Sequence, residues 1–514
     1  MKNLFNKLFF SKGALITYMV LSSISAVLNY SLRFGYVFID NALFEGFSFA
    51  LFVIAVVNCA LLIGFASFKM KGSDLCDKKA FRIVQCISEI FAIVFTIVVL
   101  VNFLVTGKES TPVALKLLKE ILPFSLAVLG VAFTLFIVPN IKKKSVKTGL
   151  SVFIAISLAF ALYSALFPTA PYKFTSAPTV FDNGSGYSVV FTTNDKGTAY
   201  IEYEYNGETI RRYDADNGRK NADTIHTIKV AYEELSGNSY KVFSTRVIDE
   251  LSYGGRSGKT IESQSIAFND SIGDNANILT VSDWHTFNEK AKQAASYLGN
   301  YNAVILLGDC APGLMCEQEV EDYLISFAGD LSKGEIPVLF ARGNHETRGR
   351  EASNLSSYLG IDSFYYAANL GSYNFIVLDS GEDKKDDHPE YGGMVAYEQN
   401  RKDMVDWLEG LENSENLKTI VISHDRDICI EEDLSARAHD KLDQLNASLL
   451  VSGHTHTNEF IDNSPYPVLI DGGINAAGKG TYVASMLSVS QDRIDITSVT
   501  SEGETTISET VYWR

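Results

Sequence analysis

Five apolar runs in the carboxy-terminal half of this 514-residue chain each lead within a few residues to a side chain able to bind a metal. Ile278-Leu279-Thr280-Val281 leads to Asp283-Trp284-His285, and Ala303-Val304-Ile305-Leu306-Leu307 to Gly308-Asp309. Pro337-Val338-Leu339-Phe340 precedes Gly343-Asn344-His345-Glu346. Thr419-Ile420-Val421-Ile422 precedes Ser423-His424, and Ser448-Leu449-Leu450-Val451 precedes Gly453-His454-Thr455-His456. Runs of four to six residues rich in Val and Ile predict strands buried on both faces. Polar groups placed just past their ends collect at the carboxyl edge of a sheet, where open α/β folds build their sites.

The side chains in these elements are carboxylates, imidazoles and an amide, donors suited to Mn, Fe, Zn or Mg and not to thiophilic metals. The chain has only eight His, and five of them fall here. A lone Gly-Asp after a strand is usually a turn, and a lone His-x-His is usually a surface pair. The ordered set of five elements is what carries the argument.

That set, Asp-x-His, Gly-Asp, Gly-Asn-His-Glu, His and Gly-His-x-His, resembles the calcineurin-like metallophosphoesterase family, which includes the purple acid phosphatases. The resemblance spans roughly residues 275–500. It implies an α/β sandwich of αββα type holding two divalent metal ions. Carried over residue by residue, Asp283, His285 and His456 would hold one ion, and Asn344, His424 and His454 the other, with Asp309 bridging. Two cations about 3.5–4 Å apart can deprotonate a shared water and neutralise phosphate oxygens, so the implied reaction is hydrolysis of a phosphomonoester or phosphodiester. His345 matches the histidine beside the metals that protonates the leaving oxygen.

The chain departs from the family pattern after Asp309. Pro312 stands where some members carry an acidic residue. Cys310-Ala311-Pro312-Gly313 stands where purple acid phosphatases place a metal-binding Tyr, so a Tyr-bound ferric centre is not expected. His226, His388 and His439 lie outside the pattern and are read as structural, loop or helix residues.

The first third has another character. Apolar stretches at about 14–32, 47–67, 84–106, 121–139 and 149–167 each approach the roughly 20 residues needed to cross a bilayer. Lys2, Lys7 and Lys12 precede the first stretch. Lys69, Lys71, Lys78, Lys79 and Arg82 fall in the second connection, and Lys142, Lys143, Lys144 and Lys147 in the fourth. By the positive-inside rule the amino terminus would be cytoplasmic and everything after the fifth span extracytoplasmic, in a multi-pass protein of the cell membrane.

Charge divides the same way. Residues 1–167 carry 16 Lys and Arg against 7 Asp and Glu, whereas the remainder carries 28 against 54. So acidic a second part excludes a protein that tracks nucleic-acid phosphates with a basic face. Cys310, Cys316 and Cys429 fall in that part; one disulfide among them is conceivable, and the sequence does not select the pair.

Between these parts, residues 169–270 show alternating strands separated by turns. Tyr187–Thr193, Thr198–Tyr205, His226–Val230 and Tyr240–Val247 alternate, with turns at Asn183-Gly184, Asn194-Asp195, Asn206-Gly207 and Ser236-Gly237-Asn238. This pattern resembles the fibronectin type III-like domain that precedes the catalytic domain in purple acid phosphatase-like proteins. The expected protein is therefore multi-domain. It has an α-helical membrane region (1–168), a small all-β sandwich (169–270) and an α/β metallophosphoesterase sandwich (271–514). The function expected is a membrane-anchored extracytoplasmic phosphoesterase acting on a phosphate-ester substrate. The competing expectation is a non-catalytic membrane sensor that uses the same fold to hold a phosphorylated ligand.

Overall fold

The computed structural model describes residues 171–514 except 252–253, 414–416, 463–464 and 474–480. Of residues 1–170 it describes parts, chiefly 60–69 and 78–106. Two compact units result. One is Met1–Pro171 with Glu250–Gly255, and the other is Tyr172–Asp249 with Arg256–Arg514.

In the first unit, helix α1 (Lys79–Thr106) covers the stretch expected at 84–106. Among the described residues, its portion Lys79–Ile97 is the one helix long and apolar enough to cross a membrane. The stretch expected at 121–139 lies outside the described residues, and those at 14–32, 47–67 and 149–167 lie only partly within them.

The second unit is built on two sheets. In the first, β5 (Ala276–Val281), β6 (Ala303–Leu306) and β7 (Pro337–Phe340) run parallel, Ile278 opposite Ala303 and Val304 opposite Val338. The antiparallel strands β14 (Val483–Val489), β15 (Arg493–Thr500) and β16 (Thr505–Tyr512) extend it beyond β5. In the second sheet, β8 (Tyr366–Leu370) and β9 (Tyr373–Leu378) form a hairpin. Parallel strands β10 (Lys418–Ser423), β11 (Ala447–Ser452) and β13 (Val468–Ile470) follow, and β12 (Glu459–Ile461) closes the edge.

The apolar runs are buried on both faces because each sheet has a layer on either side. Ile278, Leu306, Phe340, Phe375, Ile420 and Val451 belong to one core that takes in both faces of the first sheet and the inward face of the second. Alternate residues of β9, β10 and β11 (Ile376, Val421, Leu450) face the other way. They pack under helices α4 (Tyr397–Glu409) and α5 (Glu432–Gln444) through Met404, Leu408, Leu434 and Leu442. Helix α2 (Asn288–Ser296) and α3 (Ser326–Ser332) cover the first sheet with Ala291, Ala294 and Phe327. Helices thus cover both outer faces of a two-sheet α/β sandwich.

The segment before it joins the same sheet. β1 (Thr179–Asp182) pairs parallel with β7, Val180 opposite Pro337, and antiparallel with β2 (Tyr187–Tyr205). β2 in turn pairs with β3 (Asp223–Val230) and β4 (Ser239–Leu251). The expected turn at Asn194-Asp195 is a correction. The strand runs continuously from Tyr187 to Tyr205, and the two residues sit at a register irregularity between Thr192 and Gly197. A turn-prone pair can be held extended where both flanks find partners, as these do in β3 and β4.

Candidate metal centre

The carboxyl ends of β5, β6, β7, β10 and β11 deliver all the residues singled out from sequence to one place. The first two loops stay zipped after their strands end. Asp283 N–H donates to the Gly308 carbonyl at 3.0 Å, and His285 N–H to the Asp309 carbonyl at 3.0 Å. Asp283, His285, Asp309, His454 and His456 have φ between +37° and +68°. That is five of the eleven non-glycine residues in this conformation among those described. Such backbone costs roughly 1–3 kcal/mol per residue and persists where the surroundings over-determine it, typically at functional sites.

Two glycines make the convergence possible. A Cβ on Gly453 would stand 1.8 Å from Ser282 Oγ and 2.6 Å from Asp283 Oδ2. One on Gly343 would stand 2.3 Å from Asp309 Oδ1.

The candidate ligand atoms form two groups sharing a carboxylate. Asp283 Oδ2 is occupied, accepting from Ser282 Oγ at 2.5 Å and from His454 N–H at 3.0 Å. Asp283 Oδ1 has no hydrogen-bond partner and lies 4.0 Å from His285 Nε2 and 3.7 Å from His456 Nδ1. Both ring nitrogens of His285 are buried without a hydrogen bond. In the second group, Asn344 Oδ1 is 3.2 Å from both His424 Nε2 and His454 Nδ1. Asp309 Oδ2 stands between the groups, 3.8 Å from His285 Nε2 and 3.4 Å from His424 Nε2.

These residues fit metal ions. Buried polar atoms left without partners cost free energy, and here several point at common positions. Donors about 2.1 Å from one ion stand roughly 3–3.4 Å apart, the spacing found around Asn344. His424 Nδ1–H donates to the Leu307 carbonyl at 2.5 Å, fixing the tautomer that turns Nε2 inward. Burial pushes His285 down to about 4, so its ring is neutral, the form that binds metals. Burial opposes ionisation of Asp309, yet the neighbouring rings, His424 first, outweigh it and hold the carboxyl below the usual range. Burial likewise opposes charge on His424, but the Asp309 carboxylate lifts it to about 10. Without an ion, His424 and Asp309 therefore pair as opposite charges, and a metal would take the place of the proton on His424 Nε2.

Glu346, quoted from sequence as part of a motif without a role, is a buried clamp. Its carboxylate accepts from Asp309 N–H at 2.8 Å, Cys310 N–H at 2.6 Å and Gly343 N–H at 2.8 Å. His345 sits beside the two groups, its Nε2 3.8 Å from Asp309 Oδ2, with the side chain 20% exposed. Its Nδ1–H donates to the carbonyl of Pro312 at 2.9 Å. Pro312 has no side-chain acceptor, and its backbone oxygen orients the ring instead. No residue-type signal could have shown this.

Three arginine–carboxylate pairs fasten the surrounding loops. Arg348 Nε and Nη2 grip Glu382 at 2.9 and 2.7 Å, Arg401 grips Glu431 at 2.8 and 2.7 Å, and Arg342 pairs with Asp379. Bidentate contacts of this kind are directional as well as strong.

The remaining histidines stand apart. His226 is buried in the β1–β4 region against Thr193 and Ser244, His439 meets the Tyr466 hydroxyl at 2.6 Å, and His388 is half-buried beside Glu390. Cys310 and Cys429 are buried free thiols and Cys316 an exposed one, so no two of them form a disulfide.

Residues 276–458 match the model of the calcineurin-like phosphoesterase family. No curated protein gives a significant match. Similar solved structures include purple acid phosphatase PPD1 from yellow lupin (Lupinus luteus). It has 14% identity and a TM-score of 0.44, covering 65% of this chain and 74% of that one. A dimetal phosphatase from Danio rerio has 14% identity and a TM-score of 0.36, covering 46% and 99%. Phosphopantetheinyl hydrolase from Mycobacterium tuberculosis has 15% identity and a TM-score of 0.28, covering 40% and 91%. All the candidate ligands, Asp283 through His456, lie inside the phosphoesterase match.

Proposed function

We propose that this protein hydrolyses phosphate esters at a centre of two divalent ions. Asp283, His285 and His456 would hold one, Asn344, His424 and His454 the other, and Asp309 both. The observation that carries this reading is the pair of convergent donor groups sharing Asp309 Oδ2, inside the stretch that matches the phosphoesterase family. When bound, such ions activate water and draw charge from the phosphate oxygens.

The chain's own residues supply the rest. Asp283 and Asp309 supply buried carboxylate oxygens to the pocket, and Glu346 holds the loop bearing Asp309 in register. His345, hydrogen-bonded through Nδ1–H to Pro312, directs Nε2 toward the cleft, where it hands a proton to the departing oxygen. Leaving-group protonation matters most for alkoxides and least for nitrophenolate.

We further propose that the apolar stretches of residues 1–167 anchor the protein in a membrane, with the catalytic unit on the extracytoplasmic side. The lysine distribution and the apolar helix Lys79–Ile97 support this. A non-catalytic receptor would keep the same ligands but leave bound esters intact.

The test is turnover of p-nitrophenyl phosphate and bis-p-nitrophenyl phosphate by the purified full-length chain with Mn²⁺. Hydrolysis of either, lost in Asp309→Ala, supports the enzyme. Metal-loaded protein that turns over neither ester nor any of a panel of phosphorylated metabolites contradicts it.

A further inference from the structure

Between Asp283 and His285 lies Trp284, fully buried, on a turn whose two flanking residues have φ of +49° and +37°. The backbone of this turn is tied on one side to the loop bearing Asp309, as described above. Its other side is held by the indole. Trp284 Nε1–H donates to the Tyr323 carbonyl at 2.7 Å, and the ring stacks on Phe327 with centroids 4.7 Å apart and planes 29° apart. Asn288, four residues on, donates through Nδ2 to the neighbouring Asp322 carbonyl at 2.9 Å.

Both acceptors belong to one unusual turn. Glu321–Ile325 is a π-turn between Glu317–Val320 and α3. One residue inserted into a helix widens it, shifts carbonyls out of the regular ladder and is frequent at functional sites. The π-turn is itself anchored from the far side: Glu321, nearly buried, accepts from Thr224 Oγ1 of β3 at 2.6 Å. A chain of contacts thus runs from β3 through Glu321, the π-turn and Trp284 to the segment bearing Asp283 and His285. It ends on two members of one donor group, which the other group meets through Asp309 and the His454 N–H on Asp283 Oδ2. Asn344, His424 and His454 sit on loops from β7, β10 and β11.

We infer that Trp284 is a positioning residue that sets the affinity of one metal site, that of Asp283, His285 and His456, with the π-turn as its brace. The inference rests on the reading of those three residues as ligands. Removing the indole N–H frees the outer side of a strained turn, so Asp283 Oδ1 and His285 Nε2 lose their fixed separation. Groups that orient metal ligands typically contribute 10–100-fold in affinity.

The test is titration of the metal-free full-length protein with Co²⁺, followed by its visible absorption. Wild type takes up two equivalents. Trp284→Phe, which keeps a ring against Phe327, takes up one equivalent with unchanged affinity and one weakened at least 10-fold. Phe327→Leu, which keeps the N–H but loses the stack, weakens the same equivalent less. Phe375→Leu, a cavity in the inter-sheet core, lowers Tm but leaves both affinities unchanged. Wild-type affinity at both sites in Trp284→Phe overturns the inference, as does equal weakening of both. If Trp284→Phe does not fold, Phe327→Leu and Glu321→Gln carry the same comparison, and unchanged affinities in both overturn it. Failure of wild type to bind Co²⁺ at all overturns the ligand reading itself.

Discussion

His345 is the ring in this cleft that the ligand assignment leaves over. Its replacement should therefore separate chemistry from metal binding. His345→Ala is expected to retain two ions while slowing alkyl phosphate esters by roughly 10²–10⁴. Nitrophenyl esters should suffer much less, because their leaving group needs little protonation. Rates for the two ester classes, with metal content measured on the same samples, check this. Asp471 makes a different prediction. Its carboxyl is fully buried behind the site, accepting only from Thr280 Oγ1 at 2.8 Å and Ser485 Oγ at 2.7 Å. Burial pushes it up to about 7 from an ordinary 3.8, the two hydroxyls only partly offsetting this. The folded chain thus holds this proton more tightly than the unfolded one. The stabilisation is complete below about pH 4 and is lost as pH rises through 7. Asp471→Asn, neutral throughout, should raise Tm relative to wild type at pH 8 and change it little at pH 4.5. Thermal melts at the two pH values check the sign.

At the scale of elements, the loops after β5, β6, β7, β10 and β11 work as a set because Glu346 and the glycines lock them together. Glu346→Gln would face at least one backbone N–H with an amide donor, leaving it unsatisfied at a cost of about 1–3 kcal/mol. The expected result is a lower Tm together with reduced metal content. Gly453→Ala should also lose metal, since its Cβ would collide with Ser282 and Asp283. Elemental analysis and a melt of each variant decide both. These five strands and the donor side chains at their ends were legible in sequence because burial on both faces leaves unbroken apolar runs. Strands at 187–205, 226–230 and 240–247 were legible as alternation, whereas Thr179–Asp182 was not. Their union with the catalytic sheet was not, because the parallel pairing of Val180 with Pro337 joins segments with no local signal between them. The Pro312 carbonyl and the π-turn under Trp284 were equally invisible, being backbone features that almost any side chain could provide.

At the scale of the whole molecule, two bound ions should act as staples across distant stretches of chain. An ion at 100 times its Kd stabilises the folded state by about 2.7 kcal/mol. Chelation should therefore lower Tm by several degrees, and Mn²⁺ should restore it in a concentration-dependent way. The acidic balance of residues after 167 suits a protein whose attraction for phosphate comes from its ions instead of a basic surface. Every functional statement above depends on those ions being held between Asp283 and His456. The most direct measurement is the metal content of the purified full-length chain after equilibration with Mn²⁺, alongside Asp309→Ala. Two ions per wild-type chain, with loss of both or of all but one weakly held ion in the variant, is the predicted result. A folded wild-type chain that binds no divalent ion, or binds as many as Asp309→Ala with equal affinity, would contradict the account.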